Sequence, residues 1–534
     1  MTPAPVVSRR AWWVVIVAAC AAAIVAGVVL VRTLGLQYDE TLFVPAAIDP
    51  DTHQFVAERV GAVPVLLMDY IGALKAWVYA PVFAVAGVGV ESIRIPAVLL
   101  SVLAIAICGR LLWTRTPPWV AAAAVVLLAT EPAFALMSRN DWGPVVIAAV
   151  ARVGLLAAVV LALERGRARW LFVAVVVIAF GVFNKLDFVI AAVAILVASV
   201  VVFPRAWRDL LRRSVIPAVI AGIALGGALA LAYVFMYRRS AGSVDTFDGT
   251  MSERIAARIR LVTETFDGHT LMGYMTGSTF GLGSFAVPLA CAVLVLAGAA
   301  AVEWSARPRR GRASATFGTG RLLAFAAVAG VATFVGLVVA SEVSGPHHAA
   351  ALWPYPWLVL ALGCGYLIEN ARERSRSSRL VAAVGAVLVG AALVTQVAAG
   401  LQIAGVLLTD DRPRSIWTTE TEGASDAVEA LGGVVVVADW GLANQLIAFG
   451  ADGDRQRILD IWPEVRAAPA EQVLEAHEIP VRFLLVYHSD VGQIMRGTTA
   501  AARGLLATCV GGGGSSELVY AGQDVVVRQV TCPR

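Results

Sequence analysis

Apolar runs long enough to cross a bilayer recur along this chain, and they constrain its fold more than any other feature. A hydrocarbon core about 30 Å thick takes about 20 apolar residues as helix, because each backbone N–H and C=O must be satisfied inside the segment. Eleven segments meet or approach that length: 11–31, 94–113, 119–138, 143–163, 170–184, 187–203, 215–236, 281–302, 321–341, 348–368 and 380–408. Composition agrees. Of 534 residues, 59% are hydrophobic and 15% charged, with a mean hydropathy of +0.77, against about 25% charged in an ordinary soluble domain. A soluble enzyme, a disordered chain, a collagen-like chain and a disulfide scaffold are excluded. The expected fold class is an α-helical polytopic membrane protein with these eleven spans.

Sidedness comes from Lys and Arg in short loops. Arginines cluster in every second loop: Arg9 and Arg10, Arg110 and Arg115, Arg165, Arg167 and Arg169, Arg205 to Arg213, Arg307 to Arg312, and Arg372 to Arg379. That face reads as cytoplasmic, which puts the N-terminus inside and the C-terminus outside. Basic residues set between apolar runs are loop anchors, so a nucleic-acid partner is not expected. The first segment reads as an uncleaved anchor, since no small-x-small cleavage site follows it.

The outer face then holds loop 32–93, the turn 139–142, loop 237–280, the short loop 342–347 and the tail 409–534. In the first loop, residues 64–88 are apolar but interrupted by Pro64, Asp69, Lys75 and Pro81, and read as interfacial helices. In loop 237–280, Thr250 and Glu253 form a capping-box pattern before an amphipathic helix that carries Arg254 and Arg258. The tail differs in kind. It carries 17 Asp and Glu against 10 Lys and Arg, a net −7, leaving +11 on the first 408 residues. Strand runs at 434–438, 482–487 and 517–530, with a helical stretch at 442–449, indicate a small extracytoplasmic α/β domain over 409–534. Asp439-Trp440-Gly441 reads as a strand-end turn. Cys20, Cys108, Cys291 and Cys364 fall inside spans, whereas Cys509 and Cys532 share the exported domain and invite one disulfide.

Of the 42 basic residues, only Lys75 and Lys185 are lysines. In a chain where arginine serves wherever any cation will do, two surviving lysines ask for a chemical reason. Tyr38-Asp39-Glu40 follows the first span, where paired carboxylates can bind a cation, take a proton or simply begin a solvated loop. Ser138-Arg139-Asn140-Asp141-Trp142-Gly143-Pro144 caps the hairpin between spans three and four and is also ordinary turn chemistry. Lys185 follows span five, and His347-His348 precede Trp353-Pro354-Tyr355-Pro356. Deep in the membrane, Glu131 and Arg152 lie symmetrically about the hairpin apex and are expected to pair, or to share a bridging polar group, and so brace it.

These residues resemble the GT-C superfamily of polytopic glycosyltransferases, in the branch of the lipid A aminoarabinose transferases and protein O-mannosyltransferases. The resemblance rests on Asp39-Glu40 in a long first outer loop, Lys75 with Gly87 and Arg94-Ile95-Pro96 downstream, Asp141 in the second outer loop, Lys185 after span five, and His347-His348 before an aromatic-proline span start. It covers about residues 30–360. Lys75 is followed by Ala76 and Trp77, where the family has prolines. The resemblance implies a catalytic domain over 1–408 that moves a sugar from a polyprenyl-phosphate carrier to an envelope glycan, lipid or protein acceptor by single inverting displacement. Asp39, Glu40 and Asp141 would be the catalytic carboxylates. Lys75, Lys185, His347, His348 and Arg139 would bind the carrier phosphate, lysine suiting a monodentate oxygen. Asp39, Asp141 and a histidine, His347, could instead hold magnesium or manganese. The implied location is the plasma membrane, with the site and tail extracytoplasmic. A transporter or flippase would show paired halves and broken mid-membrane helices. A non-catalytic assembly protein would leave these charged residues without a joint purpose.

Overall fold

A computed structural model of the chain describes residues 8–48, 56–212, 250–266, 268–276, 298, 317–340, 346–371, 376–409, 415–450, 457–492 and 497–533. Helix α1 (Arg9–Val29) leads into two short helices, α2 (Tyr38–Thr41) and α3 (Val44–Ile48). Three antiparallel strands follow, β1 (Glu58–Val60), β2 (Val63–Met68) and β3 (Ile71–Gly72), then α4 (Leu74–Ala86). The apolar stretch 64–88 is therefore helical only in its second half. Pro64 biases Val63 towards extended backbone, and the Asp69-Tyr70 turn sends the chain back as β3.

The bundle continues as α5 (Val90–Trp113), α6 (Pro118–Ala129), α7 (Pro132–Arg139), α8 (Val145–Arg165), α9 (Ala168–Asn184), α10 (Phe188–Val202) and α11 (Pro204–Leu211). Then come α12 (Met251–Phe266), α13 (His269–Thr276), α14 (Thr319–Val339), α15 (Tyr355–Ala371) and α16 (Arg376–Thr409). Six described helices are long and apolar enough to cross a membrane, and two bent pairs, α6–α7 at 57° and α10–α11 at 97°, raise this to eight at most. The protein is a multi-pass membrane protein. Helix α9 has 17 residues and falls short of a full span by itself. Segments 215–236 and, apart from residue 298, 281–302, with Arg213, Arg307 to Arg312, Arg372, Arg374 and Cys291, lie outside the described residues.

The bend between α6 and α7 overturns one expectation. Glu131 sits at the break and caps α7, its carboxylate accepting from the backbone N–H groups of Ala133 (3.1 Å) and Phe134 (2.6 Å). Arg152 on α8 donates to the carbonyl oxygens of Ala350 (3.0 Å) and Trp353 (2.8 Å). Among the described residues no ion pair joins the two. The interrupted helix exposes unsatisfied N–H groups next to Glu131, and Arg152 finds carbonyls at the 3-10 turn Pro346–Leu352. It braces the segment that carries His347 and His348, not the Asp141 hairpin.

After the 3-10 turn Ser415–Trp417, the tail runs α17 (Glu420–Leu431), β4 (Val435–Val437), α18 (Leu442–Phe449), β5 (Ile458–Asp460), α19 (Trp462–Ala467), α20 (Ala470–Ala476), β6 (Arg482–His488), α21 (Thr498–Gly511), β7 (Ser515–Ala521) and β8 (Val525–Thr531). The sheet order is β5-β4-β6-β8-β7, parallel across the first three strands and antiparallel beyond. Helices α17 and α18 bury Ala424 and Leu446 on one face, while Val465, Val473 and Leu505 of α19, α20 and α21 cover the other. Strand β5 has only three residues, Ile458–Asp460, and the sequence reading did not include it. Cys509 and Cys532 form a disulfide, their Cα atoms 4.5 Å apart. The tail grips the membrane part at the Asp39 loop. Gly35 N–H donates to the Trp417 carbonyl (2.8 Å), and a Cβ at Gly35 would lie 1.6 Å from the Thr418 carbonyl oxygen, so only glycine fits. On the other side, Ala448 of α18 is buried in the same core as Leu42 and Phe43.

Candidate active site

Asp39 and Glu40 are neighbours on a four-residue helix, and neighbours on a helix face different directions. Gln37 starts that helix, its side-chain oxygen accepting from the Asp39 and Glu40 N–H groups while the Glu40 carboxylate accepts from Gln37 N–H. Glu40 then turns inward to Arg94. The guanidinium donates through Nε to Glu40 Oε2 (2.7 Å) and through Nη2 to Oε1 (2.9 Å). Its other donors go to the carbonyls of Val31 (2.6 Å), Leu34 (2.7 Å) and Gly35 (2.6 Å). All five N–H groups of the fork are used, and both side chains are fully buried. Burial pushes the Glu40 carboxyl up, against the pull of Arg94. Glu40 is thus not a partner of Asp39 in chemistry, as the sequence suggested. It is the anchor that fixes where Asp39 stands.

Asp39 faces the opposite way. Its Oδ2 accepts from the Trp142 indole N–H (2.8 Å) and the Gln37 amide (3.2 Å). Trp142 belongs to the hairpin whose Asp141 is held by Lys75. The Lys75 ammonium lies 3.0 Å from Asp141 Oδ2 and donates to the carbonyls of Asp141 (3.1 Å) and Gly143 (2.9 Å). It also sits 4.1 Å from the Phe43 ring centroid. The ammonium thus donates to two carbonyls of the hairpin and lies against the Asp141 carboxylate. Burial pulls the Lys75 ammonium down, against Asp141, and pushes the Asp141 carboxyl up to about 7, against Lys75. Asp141 has φ +44°, a left-handed conformation that aspartate tolerates better than most residues. Lys75 thus locks the hairpin that carries Trp142, where the sequence reading had it on the carrier phosphate.

The second lysine is placed differently. Lys185 follows α9, 3.3 Å from Asp187 Oδ2, with its ammonium 5.9 Å from the Tyr70 ring centroid. Burial acts to lower its pKa, but Asp187, Tyr70 and Asp39 outweigh it and the ammonium is held above its usual range. His348 Nδ1 approaches the same Asp187 at 3.8 Å. The His347 ring lies 4.3 Å from that of His348 and 5.0 Å from Trp142. Arg139 goes elsewhere, into the wall of a mostly apolar cavity of about 670 Å³ between α1, α5, α7 and α16.

Asp39, Asp141, Lys75, Lys185, His347 and His348 therefore gather at one rim, whereas Glu40 and Arg139 face away. The donor set expected for magnesium or manganese does not assemble: Asp141 is engaged by Lys75, and among the described residues no three His, Cys, Asp or Glu side chains group around one point. Sequence reading missed the aromatic frame of Trp142, Tyr274, Trp417 and Trp440, because single tryptophans and tyrosines carry no spacing signal. It gave Arg258 a place on an amphipathic helix but no part in the site. That residue is buried on α12, and its charge is felt at His348.

A bent-helix bundle with this polar rim and a tail sheet gripping the first loop has a counterpart among solved structures. ArnT from Cupriavidus metallidurans in the apo state superimposes with a TM-score of 0.58 over 98% of this chain and 98% of that one, at 15% identity. The chain has the GT-C fold. The same protein bound to undecaprenyl phosphate gives a TM-score of 0.56 over 97% and 98% of the two chains, also at 15% identity. Residues 72–236 match the family described as dolichyl-phosphate-mannose-protein mannosyltransferase. No curated protein sequence matches the chain. The likeness in fold is thus to ArnT, and the sequence match over residues 72–236 is to the mannosyltransferase family.

Proposed function

We propose that the protein moves a sugar from a polyprenyl-phosphate carrier to an envelope glycan, lipid or protein on the extracytoplasmic face of the plasma membrane, by one inverting displacement. One observation carries this reading: a single carboxylate, Asp39, is oriented by Trp142 within the electrostatic reach of Lys75, Lys185 and His347. A base on one side and buried cations on the other are what glycosyl transfer from a lipid phosphate requires. Asp39 takes the proton of the acceptor hydroxyl as its oxygen bonds to the anomeric carbon. The bond from that carbon to the phosphate oxygen breaks, and its electron pair leaves with the lipid phosphate. Lys185, beside His347, His348 and Arg258, stabilises the charge that develops there, most strongly in a site poor in water. Lys75 and Asp141 hold the hairpin in register and touch neither substrate. In this reading the Lys185 ammonium and the Arg258 guanidinium neutralise the charge on the leaving phosphate.

The experiment is direct. The purified chain in lipid nanodiscs, given undecaprenyl-phosphate-linked sugars and an extract of envelope acceptors, should release undecaprenyl phosphate and form a product of inverted anomeric configuration. A retained configuration, or no release with any such donor, would sink the proposal.

A further inference from the structure

Trp142 touches both ends of the site. Its N–H is fixed on Asp39, and its ring lies 5.0 Å from His347. A third ring extends this frame. Tyr274, on α13, lies parallel to Trp142, with centroids 5.8 Å apart and planes 2° from parallel. Trp417 packs edge-on against both, 4.9 Å from Trp142 and 5.6 Å from Tyr274, at 77° in each case. The two tryptophans are buried, at 2% and 0% exposure, but Tyr274 is 52% exposed. The Tyr274 phenol is pushed up by burial first and then by the Asp39 carboxylate, which shows that the ring stands in the field of that residue.

A ring whose work was packing alone would be covered by its neighbours. Tyr274 is instead immobilised from two sides and open on the rest. Such a ring loses little rotamer entropy when a ligand lands on it. Its face carries the negative pole of the aromatic quadrupole, which suits the C–H face of a sugar ring and offers nothing to a phosphate. Tyr274 stacks on Trp142, which itself joins Asp39 to His347, so its open face borders the space the glycosyl group must enter.

We propose that the open face of Tyr274 is the stacking platform for the donor's glycosyl ring, presenting its anomeric carbon between Asp39 and the Lys185 ammonium. This rests on the reading that the donor is a polyprenyl-phosphate sugar, and it adds the residue that recognises the sugar as distinct from the lipid phosphate. Tyr274 is a specificity-determining contact, made through its ring and not its hydroxyl.

The test compares affinities of the full chain in nanodiscs for bare undecaprenyl phosphate, undecaprenyl-phosphate-linked mannose and undecaprenyl-phosphate-linked aminoarabinose. Wild type should bind at least one glycosylated carrier more tightly than the bare one. Tyr274→Leu should remove about five- to tenfold of that advantage, the range of one aromatic contact, and Tyr274→Phe should keep it. Bare undecaprenyl phosphate should bind all three proteins alike. An undiminished advantage in Tyr274→Leu, an equal loss of bare-carrier binding, or no advantage in wild type overturns the platform. Wild type that fails to bind bare undecaprenyl phosphate would instead sink the carrier reading, and the platform with it.

Discussion

The tripeptide Asp-Trp-Gly occurs at 141–143 in the membrane part and at 439–441 in the tail, and both copies meet the short helix that carries Asp39. Trp142 donates to Asp39, while the Trp440 ring lies 4.8 Å from that of Tyr38, one residue away. Both glycines are left-handed, φ +60° at Gly143 and φ +86° at Gly441, and a Cβ at Gly441 would lie 3.4 Å from Tyr38 Cβ. What differs is the carboxylate. Asp141 faces a lysine in a buried pair. Asp439 accepts from backbone N–H groups, those of Trp440 (2.8 Å) and His488 (3.2 Å). Asp439, answered by the N–H of its neighbour and of β6, closes the ends of two adjacent strands. Asp141, answered by a cation from another helix, holds two segments of the membrane part in register. Identical local sequence thus serves a strand end in the sheet and a hinge point in the site, and only the surroundings decide which.

The comparison breaks most sharply at the residues the two tryptophans flank and cap. Asp39→Asn should lower the transfer rate about a thousandfold, the range of a lost general base, with bare undecaprenyl phosphate still bound. Asp439→Asn should leave the rate within about twofold and cost roughly 1–2 kcal/mol of stability, read as a lower melting temperature. Next in size is Lys185→Ala, expected to reduce kcat about a hundredfold through loss of leaving-group stabilisation. Trp142→Phe removes a hydrogen bond to a charged oxygen, about 1.5 kcal/mol, and should cut kcat roughly tenfold. Trp440→Phe keeps its ring on Tyr38 and should change kcat less than about twofold, since an aromatic contact survives. Equal losses from the two tryptophan variants would erase the distinction drawn above.

The smallest effect concerns pH. Burial raises the Asp141 carboxyl from its ordinary 3.8 to about 7, so the folded protein favours the protonated form. Its contribution to stability is full below the unfolded value and is lost as pH rises through about 7. Thermal stability should therefore decline between about pH 4 and pH 7 in the wild type, and Asp141→Asn, which cannot ionise, should flatten that decline. An unchanged slope in the variant would remove the reading of Asp141 as a buried, reluctantly charged group.

Much of this was legible in the sequence. Six of the eleven expected spans appear among the described helices and two more as bent pairs, the helix at 442–449 appears where expected, and the rarity of lysine pointed to Lys75 and Lys185. What stayed hidden was partner choice. Glu40 reads like Asp39, and nothing in Tyr-Asp-Glu says which carboxylate will meet Arg94 across 54 residues of chain. Glu131 and Arg152 match in depth, but a break at Pro132 offers Glu131 nearer backbone donors, which no depth count could reveal. Lys75 and Lys185 look equivalent in sequence. One is held by oxygens of a turn, the other shares an exposed carboxylate with a histidine.

The central claim is that Asp39 performs sugar transfer from a polyprenyl-phosphate donor. Mass spectrometry of lipid-linked sugars and envelope glycans, in strains carrying Asp39→Asn or Asp439→Asn at normal protein abundance, tests it most directly. The expected result is accumulation of one polyprenyl-phosphate-linked sugar and loss of the same sugar from an envelope acceptor in the Asp39→Asn strain alone. Unchanged pools in that strain would contradict the claim.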